Sequence, residues 1–154
     1  VKRVNNRGAN FNSEFGLHIR QHDITLRTSL QMVSAEIVEA GDAFELHTSK
    51  QLIYVPKFTA SSGLMWRHGT KRIELQYVHT GLRYTSSDNK QALPAFSLFN
   101  IIASKDIELE KYSVNLFLRW NNIFNAEYQI MLWRPMPMSH VQLGIQFNLH
   151  THKS

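Results

Sequence analysis

The amino-acid sequence predicts an all-β chain, an antiparallel up-and-down meander of about seven strands. Apolar residues recur at every second position in successive windows, charged and amide side chains fill the positions between them, and the connections alternate between short and long. An amphipathic helix would need apolar residues at i, i+3 and i+4, which these windows do not offer.

In the first window Phe15, Leu17 and Ile19 share one parity against Glu14, Gly16, His18 and Arg20, ending at Gln21-His22-Asp23. In the second, Ile24, Leu26, Leu30 and Met32 alternate with Thr25, Arg27, Ser29 and Gln31, and Thr28 interrupts the apolar face. A turn of about three residues joins them. The polar, partly acidic stretch 35–51, with Gly41-Asp42 at its middle, reads as a long connection, and Pro56 marks a restart in extended conformation. The third strand runs through Phe58, Ala60, Ser62, Leu64 and Trp66, and turns at His68-Gly69-Thr70. The fourth sets Ile73, Leu75, Tyr77 and His79 against Arg72, Glu74, Gln76 and Thr80. A second long polar connection, 81–94, precedes a fifth strand over 96–104. After a charged turn near Glu110 and Lys111, Val114, Leu116, Leu118 and Trp120 alternate with Asn115, Phe117, Arg119 and Asn121. A third long connection, 122–139, carries two prolines, Pro135 and Pro137. The last strand sets Val141, Leu143, Ile145, Phe147 and Leu149 against Gln142, Gly144, Gln146 and Asn148.

Composition narrows the function classes. The formal charge is +5, but 17 basic residues are scattered among 12 acidic ones, so no nucleic-acid patch is indicated. The absence of cysteine excludes disulfides, thiolate metal sites and cysteine nucleophiles. No stretch approaches the roughly 18 to 20 consecutive apolar residues of a membrane helix. A membrane β-barrel is compatible, because each of its strands needs only about 9 to 11 alternating residues.

The short-long rhythm is that of a transmembrane barrel, with short turns periplasmic and long loops outside. Trp66 lies near a short turn, while Trp120, Tyr84 and Tyr54 lie toward long loops, as interfacial aromatic belts require; core or surface positions on a soluble sheet would also accommodate them. A face bearing Arg27, Gln31, Arg72, Glu74, Gln76, Asn115, Arg119, Gln142 and Gln146 suits a lumen, and its apolar partner suits lipid. On a soluble sandwich the polar face would meet solvent instead. The chain thus reads as a partial transmembrane β-barrel wall. Long outer loops place the C-terminus in the periplasm, start the chain at an extracellular loop and leave an odd strand count, so that further strands are expected upstream.

Several segments resemble the C-terminal barrel region of TonB-dependent outer-membrane receptors. They are RWNNIFNAEYQ (119–129), with its paired asparagines and following tyrosine; RPMPMSHVQLGIQF (134–147); LIYVPKFTA around Pro56; TGLRYTSSDN (80–89); and LPAF (93–96). Met138-Ser139 stand where the family usually has a glycine-arginine pair, and His150 and the residues after it follow Leu149 where many members end on an aromatic. The resemblance implies that 1–149 is a C-terminal segment of such a barrel of about 22 strands, with 150–154 a polar tail. It implies active import across the outer membrane of a Gram-negative bacterium of a scarce ligand: an iron chelate, haem, cobalamin or a glycan. It also implies TonB energy coupling through a plug region N-terminal to this segment, contact with outer-membrane lipid, and reading of Val141, Leu143, Ile145, Phe147 and Leu149 by the barrel assembly machinery. The rival readings are a soluble or periplasmic β-sandwich binding module and a small structural outer-membrane barrel.

No nucleophile-elbow or other local signature gathers serine, histidine and aspartate, so no enzyme, catalytic residue or cofactor is expected. His150 and His152 offer two metal ligands, which make no closed site; a loose polar end is the simpler reading. Glu36, Glu39, Asp42 and Glu45 lack calcium-loop spacing and read as a solvated loop. In the last long connection Tyr128, Trp133 and Arg134 are candidates for ligand contact at the extracellular mouth, or for packing that anchors the loop.

Overall fold

The computed structural model describes residues 2–39 and 50–149, all of it strand, turn and loop without a helix. Seven long strands form one antiparallel meander: β1 (Lys2–Ile19), β2 (His22–Glu39), β4 (Phe58–His68), β5 (Lys71–Thr80), β8 (Phe96–Glu108), β9 (Tyr112–Asn121) and β12 (His140–Leu149), each paired with its neighbours in that order. The short β3 (Lys50–Gln51) joins the edge of β2. Two small ribbons lie within the long connections: β6 (Arg83–Tyr84) with β7 (Ala92–Leu93), and β10 (Gln129–Met131) with β11 (Arg134–Pro135).

Three tight connections, at Arg20-Gln21, Gly69-Thr70 and 109–111, lie at one end of the sheet, and the described parts of the three long ones lie at the other. Gly69 has φ of 55°, a left-handed value a two-residue hairpin demands. Arg20 takes the same region, also at φ 55°. The Asp106 amide donates to the Thr70 carbonyl at 2.9 Å, which ties the second turn to β8.

Pairing register converts the two-residue period into continuous rows. Phe15, Leu26, Leu64, Leu75, Ile101, Trp120 and Val141 lie side by side across all seven strands, and Leu17, Ile24, Trp66, Ile73, Ala103, Leu118 and Leu143 form the next row. Because side chains alternate between faces, the same register puts Arg27, Gln31, Arg72, Glu74, Gln76, Asn115, Arg119, Gln142 and Gln146 together on the opposite face. That face is laced by neighbouring polar pairs. Arg27 grips Glu14 through two nitrogens, each 3.2 Å from a carboxylate oxygen, Asn115 donates to Asp106 at 2.5 Å, and Gln76 donates to Glu74 at 2.8 Å. The two cross-strand pairs, Arg27–Glu14 and Asn115–Asp106, are exposed and contribute about 0.2–1 kcal/mol each, enough to favour register and too little to hold a sheet together.

The sheet is one layer thick. Among the described residues only Ala35 and Leu93 are buried hydrophobics, and no large side chain is fully enclosed. The apolar rows stand open: Phe15, Leu26, Leu64, Leu75, Trp120 and Leu143 are all exposed, Leu143 to 78 %. β1 and β12 are the two outer strands of this open sheet.

The structure corrects two expectations. The first strand, expected from about Glu14, starts at Lys2, and residues 2–13 pair with 28–39 instead of forming an outer loop. Asn5, Asn6, Asn10 and Asn12 put amides on both parities, so backbone pairing forms this half of the ribbon with little side-chain rhythm. The connection expected over 35–51 is strand as far as Glu39 and again at Lys50–Gln51. Glu36 and Glu39 accordingly belong to β2 instead of an acidic loop, and Asp42 and Glu45 lie outside the described residues. Thr28 proves to be one of a polar row, Ser13, Thr28, Ser62 and Tyr77, in which the Thr28 and Ser62 hydroxyls lie 3.3 Å apart.

On the polar face Phe117 lies opposite Gly144, and a Cβ built on Gly144 would sit 2.1 Å from the ring tip. The ring covers backbone that a larger residue would cover itself, and the Arg119 guanidinium lies 5.2 Å from its centre. Gly144→Ala should therefore displace the ring and cost about 1–3 kcal/mol in an unfolding titration. In a Phe117→Ala background the same substitution should be close to neutral; equal cost in both backgrounds would refute the steric account.

Candidate functional site at the long-loop end

The three long connections meet at one end of the sheet, and their contacts are mostly polar. Arg83, only 4 % exposed, donates to the Gln129 carbonyl at 3.0 Å and to the Pro94 carbonyl at 2.9 Å, with its guanidinium 4.8 Å from the centre of the Phe96 ring. One cation thereby ties the 81–95 connection to the 122–139 connection. Burial pushes its pKa down from the ordinary arginine value, but the group stays charged, and its fork satisfies two carbonyls at once. Phe96 also meets Tyr128, ring centres 4.7 Å apart.

Asparagines build the corners. Asn122, 3 % exposed with φ 50°, donates from its side chain to the Ala126 carbonyl and accepts from the Ala126 amide, both at 2.8 Å. Its own amide donates to Asn100 Oδ1 at 2.9 Å. Asn125, φ 55°, accepts from the Ser139 amide at 2.9 Å. Asn89, φ 59°, exchanges two 2.9 Å bonds with the Gln51 backbone, joining the second long connection to the end of the first. Asparagine tolerates the left-handed region better than other side-chain-bearing residues and carries both a donor and an acceptor, which suits it to such corners. The Tyr54 amide adds a 2.8 Å bond to the Tyr84 carbonyl. At the loop surface Asp88 accepts from Ser86 Oγ at 2.5 Å and from the Lys90 amide at 3.1 Å, and these bonds hold its carboxyl below the usual range.

The three candidate contact residues separate. Tyr128 is half-buried against Phe96, within the anchor. Trp133 and Arg134 lie at and just after the turn of the β10–β11 ribbon, where Trp133 has φ 64° and is 85 % exposed and Arg134 is also exposed. Ile130 and Met131 of the same ribbon are exposed as well, so its tip presents two aliphatic chains, an indole and a cation. Sequence reasoning missed Arg83, Phe96, Asn89, Asn122 and Asn125 as structural determinants, although all five stand inside or beside the quoted motif segments. Val141, Leu143, Ile145 and Phe147 share the apolar face of β12, whose backbone continues to Leu149. His150 and His152 lie outside the described residues.

Compared with known proteins, the chain matches no family model and no curated protein.

Asn122→Ala removes both side-chain bonds to Ala126 and leaves a left-handed backbone without its asparagine, so a loss of about 1–3 kcal/mol is expected. Faster amide hydrogen exchange at Ala126 and Asn125 than in the wild type would report it, and unchanged exchange there would remove Asn122 from its anchoring role.

Proposed function

We propose that this sheet is part of the wall of an outer-membrane β-barrel, its apolar face against lipid and its polar face toward a water-filled or plugged lumen. The observation that carries this reading is a broad apolar face crossing seven strands with no second layer over it among the described residues. A β-sandwich would cover that face with another sheet about 10 Å away.

The slant of the apolar band adds support. On β2 its described apolar side chains occupy 24–32, and on β12 they occupy 141–147. Followed through the register, the band's centre moves toward the short turns by about two and a half side-chain rows, ~17 Å, over five strand spacings, ~24 Å. The resulting slant of roughly 35° is the tilt that membrane barrels impose on their strands.

Within that class, the reading is a TonB-dependent receptor that actively imports a scarce ligand: an iron chelate, haem, cobalamin or a glycan. It is supported by the five motif segments occurring in family order and by the way four of them meet: Tyr54, Arg83, Asn89, Pro94, Phe96, Asn122 and Tyr128 take part in one anchor at the loop end. A small structural barrel shares the wall but gives no account of those segments. In this arrangement β12 carries the strand read by the assembly machinery, the short turns and C-terminal end face the periplasm, and TonB acts through a plug elsewhere in the protein. The β10–β11 tip, with Trp133 and Arg134, takes part in ligand capture at the outer mouth.

Single cysteines at 72–77 test the wall: a water-soluble maleimide should modify 72, 74 and 76, a lipid-soluble one 73, 75 and 77. Loss of this alternation would overturn the reading. In a vesicle refolding assay Leu75→Arg should cost about 2–4 kcal/mol near the bilayer midplane, whereas Gln76→Arg on the lumen side should cost far less. For transport, cells with and without a working TonB system should differ in accumulation of one of the four radiolabelled ligand classes; accumulation of none would reject the receptor assignment.

A further inference from the structure

The apolar face carries one basic row. Ile19, His22, His68, Lys71, Lys105, Leu116 and Ile145 lie side by side near the short-turn end, so four consecutive strands present a nitrogenous side chain at the same height. The two imidazoles stack at 4.3 Å, and Trp66 Nε1 donates to His22 Nδ1 at 3.2 Å, so both are engaged with their neighbours. The lysines are not. Lys71 and Lys105 are directly opposed across β5 and β8, both exposed, and neither ammonium makes a hydrogen bond or ion pair among the described residues. Like charges directly opposed across strands destabilise a sheet. On the described strand positions of this face no acidic side chain lies nearer than Glu36, at the other end of β2.

The surroundings make the pair more unusual. On β8 Lys105 stands between Ala103 and Ile107, inside the slanted apolar band and not beyond its edge. Ala103 is the smallest side chain of its row, and with Trp66, Ile73, Leu118 and Leu143 it lines an apolar groove that opens onto both lysines. A pair of facing ammonium groups beside apolar surface favours an anion, and the apolar groove leading from it accepts a hydrocarbon chain.

We propose that Lys71 and Lys105 bind the phosphate of an anionic glycerophospholipid in the leaflet on the short-turn side, with an acyl chain lying in the groove over Ala103. This site rests on the membrane-wall reading above. One phosphate between the two ammonium groups turns their mutual repulsion into two attractions, and the stem of each lysine lies along apolar surface while its head reaches the headgroup layer.

The test uses the full-length protein extracted in detergent and supplied with equal phosphatidylglycerol and phosphatidylcholine. Native mass spectrometry should find phosphatidylglycerol retained in preference by about tenfold or more. The preference should vanish in the Lys71→Gln, Lys105→Gln double variant and persist in the Lys71→Arg, Lys105→Arg variant, which keeps the charge. In parallel, brominated phosphatidylcholine in reconstituted vesicles should quench Trp66 and Trp120 fluorescence in all three proteins. Quenching with equal retention of both lipids by the wild type would overturn the phospholipid site alone. Absence of quenching would overturn the membrane-wall reading beneath it.

Discussion

A sheet one layer thick has no interior, so its free energy depends on its backbone ladder and on whatever medium lies against its apolar face. Apolar area contributes about 25 cal/mol per Å² when removed from water, and here the large apolar side chains of the described residues, Leu93 apart, are exposed or only partly covered. The same requirement applies to the outer edges of β1 and β12, whose free N–H and C=O groups aggregate in water and are intolerable in hydrocarbon unless another strand pairs with them. The barrel wall proposed above would meet both needs together, with lipid against the apolar face and a neighbouring strand on each edge.

The division of labour between the two ends follows from that constraint. At the short-turn end the chain reverses in two or three residues and carries little beyond the basic row. At the long-loop end, connections that would otherwise wander are fastened by Arg83 and Asn89, whose side chains join backbone segments distant in sequence, while the Asn122 side chain closes its own corner onto Ala126. A buried guanidinium between two carbonyls is oriented by both, so displacing either loop disturbs the other. The Trp133 tip stands on this rigid base without taking part in it, the arrangement in which a contact surface can vary while its support does not.

Much of this was legible in the sequence wherever one face is apolar and the other polar. The period of two placed Ile73, Leu75 and Tyr77 opposite Arg72, Glu74 and Gln76 correctly, and it located all seven long strands. It failed for residues 2–13, where Asn5, Asn6, Asn10 and Asn12 occupy both parities and only pairing with β2 defines the strand. It failed for Glu36 and Glu39, because acidic side chains at a strand's far end look like loop. Arg83 was invisible as an anchor because its partners are carbonyls, which every residue possesses. Tyr128 was visible only as an aromatic in a loop; its tilted contact with the Phe96 ring depends on the last long connection being brought back over the start of β8.

The hairpin corners at Arg20-Gln21 and Gly69-Thr70 have a consequence for how such a chain can change over generations. A corner this tight locks the stagger of the strands it joins, and a single inserted or deleted codon there would tend to turn the side chains of the strand that follows inside out. Changes of length are better accommodated at the opposite end, where whole segments can be lengthened, trimmed or exchanged without disturbing the strands between them.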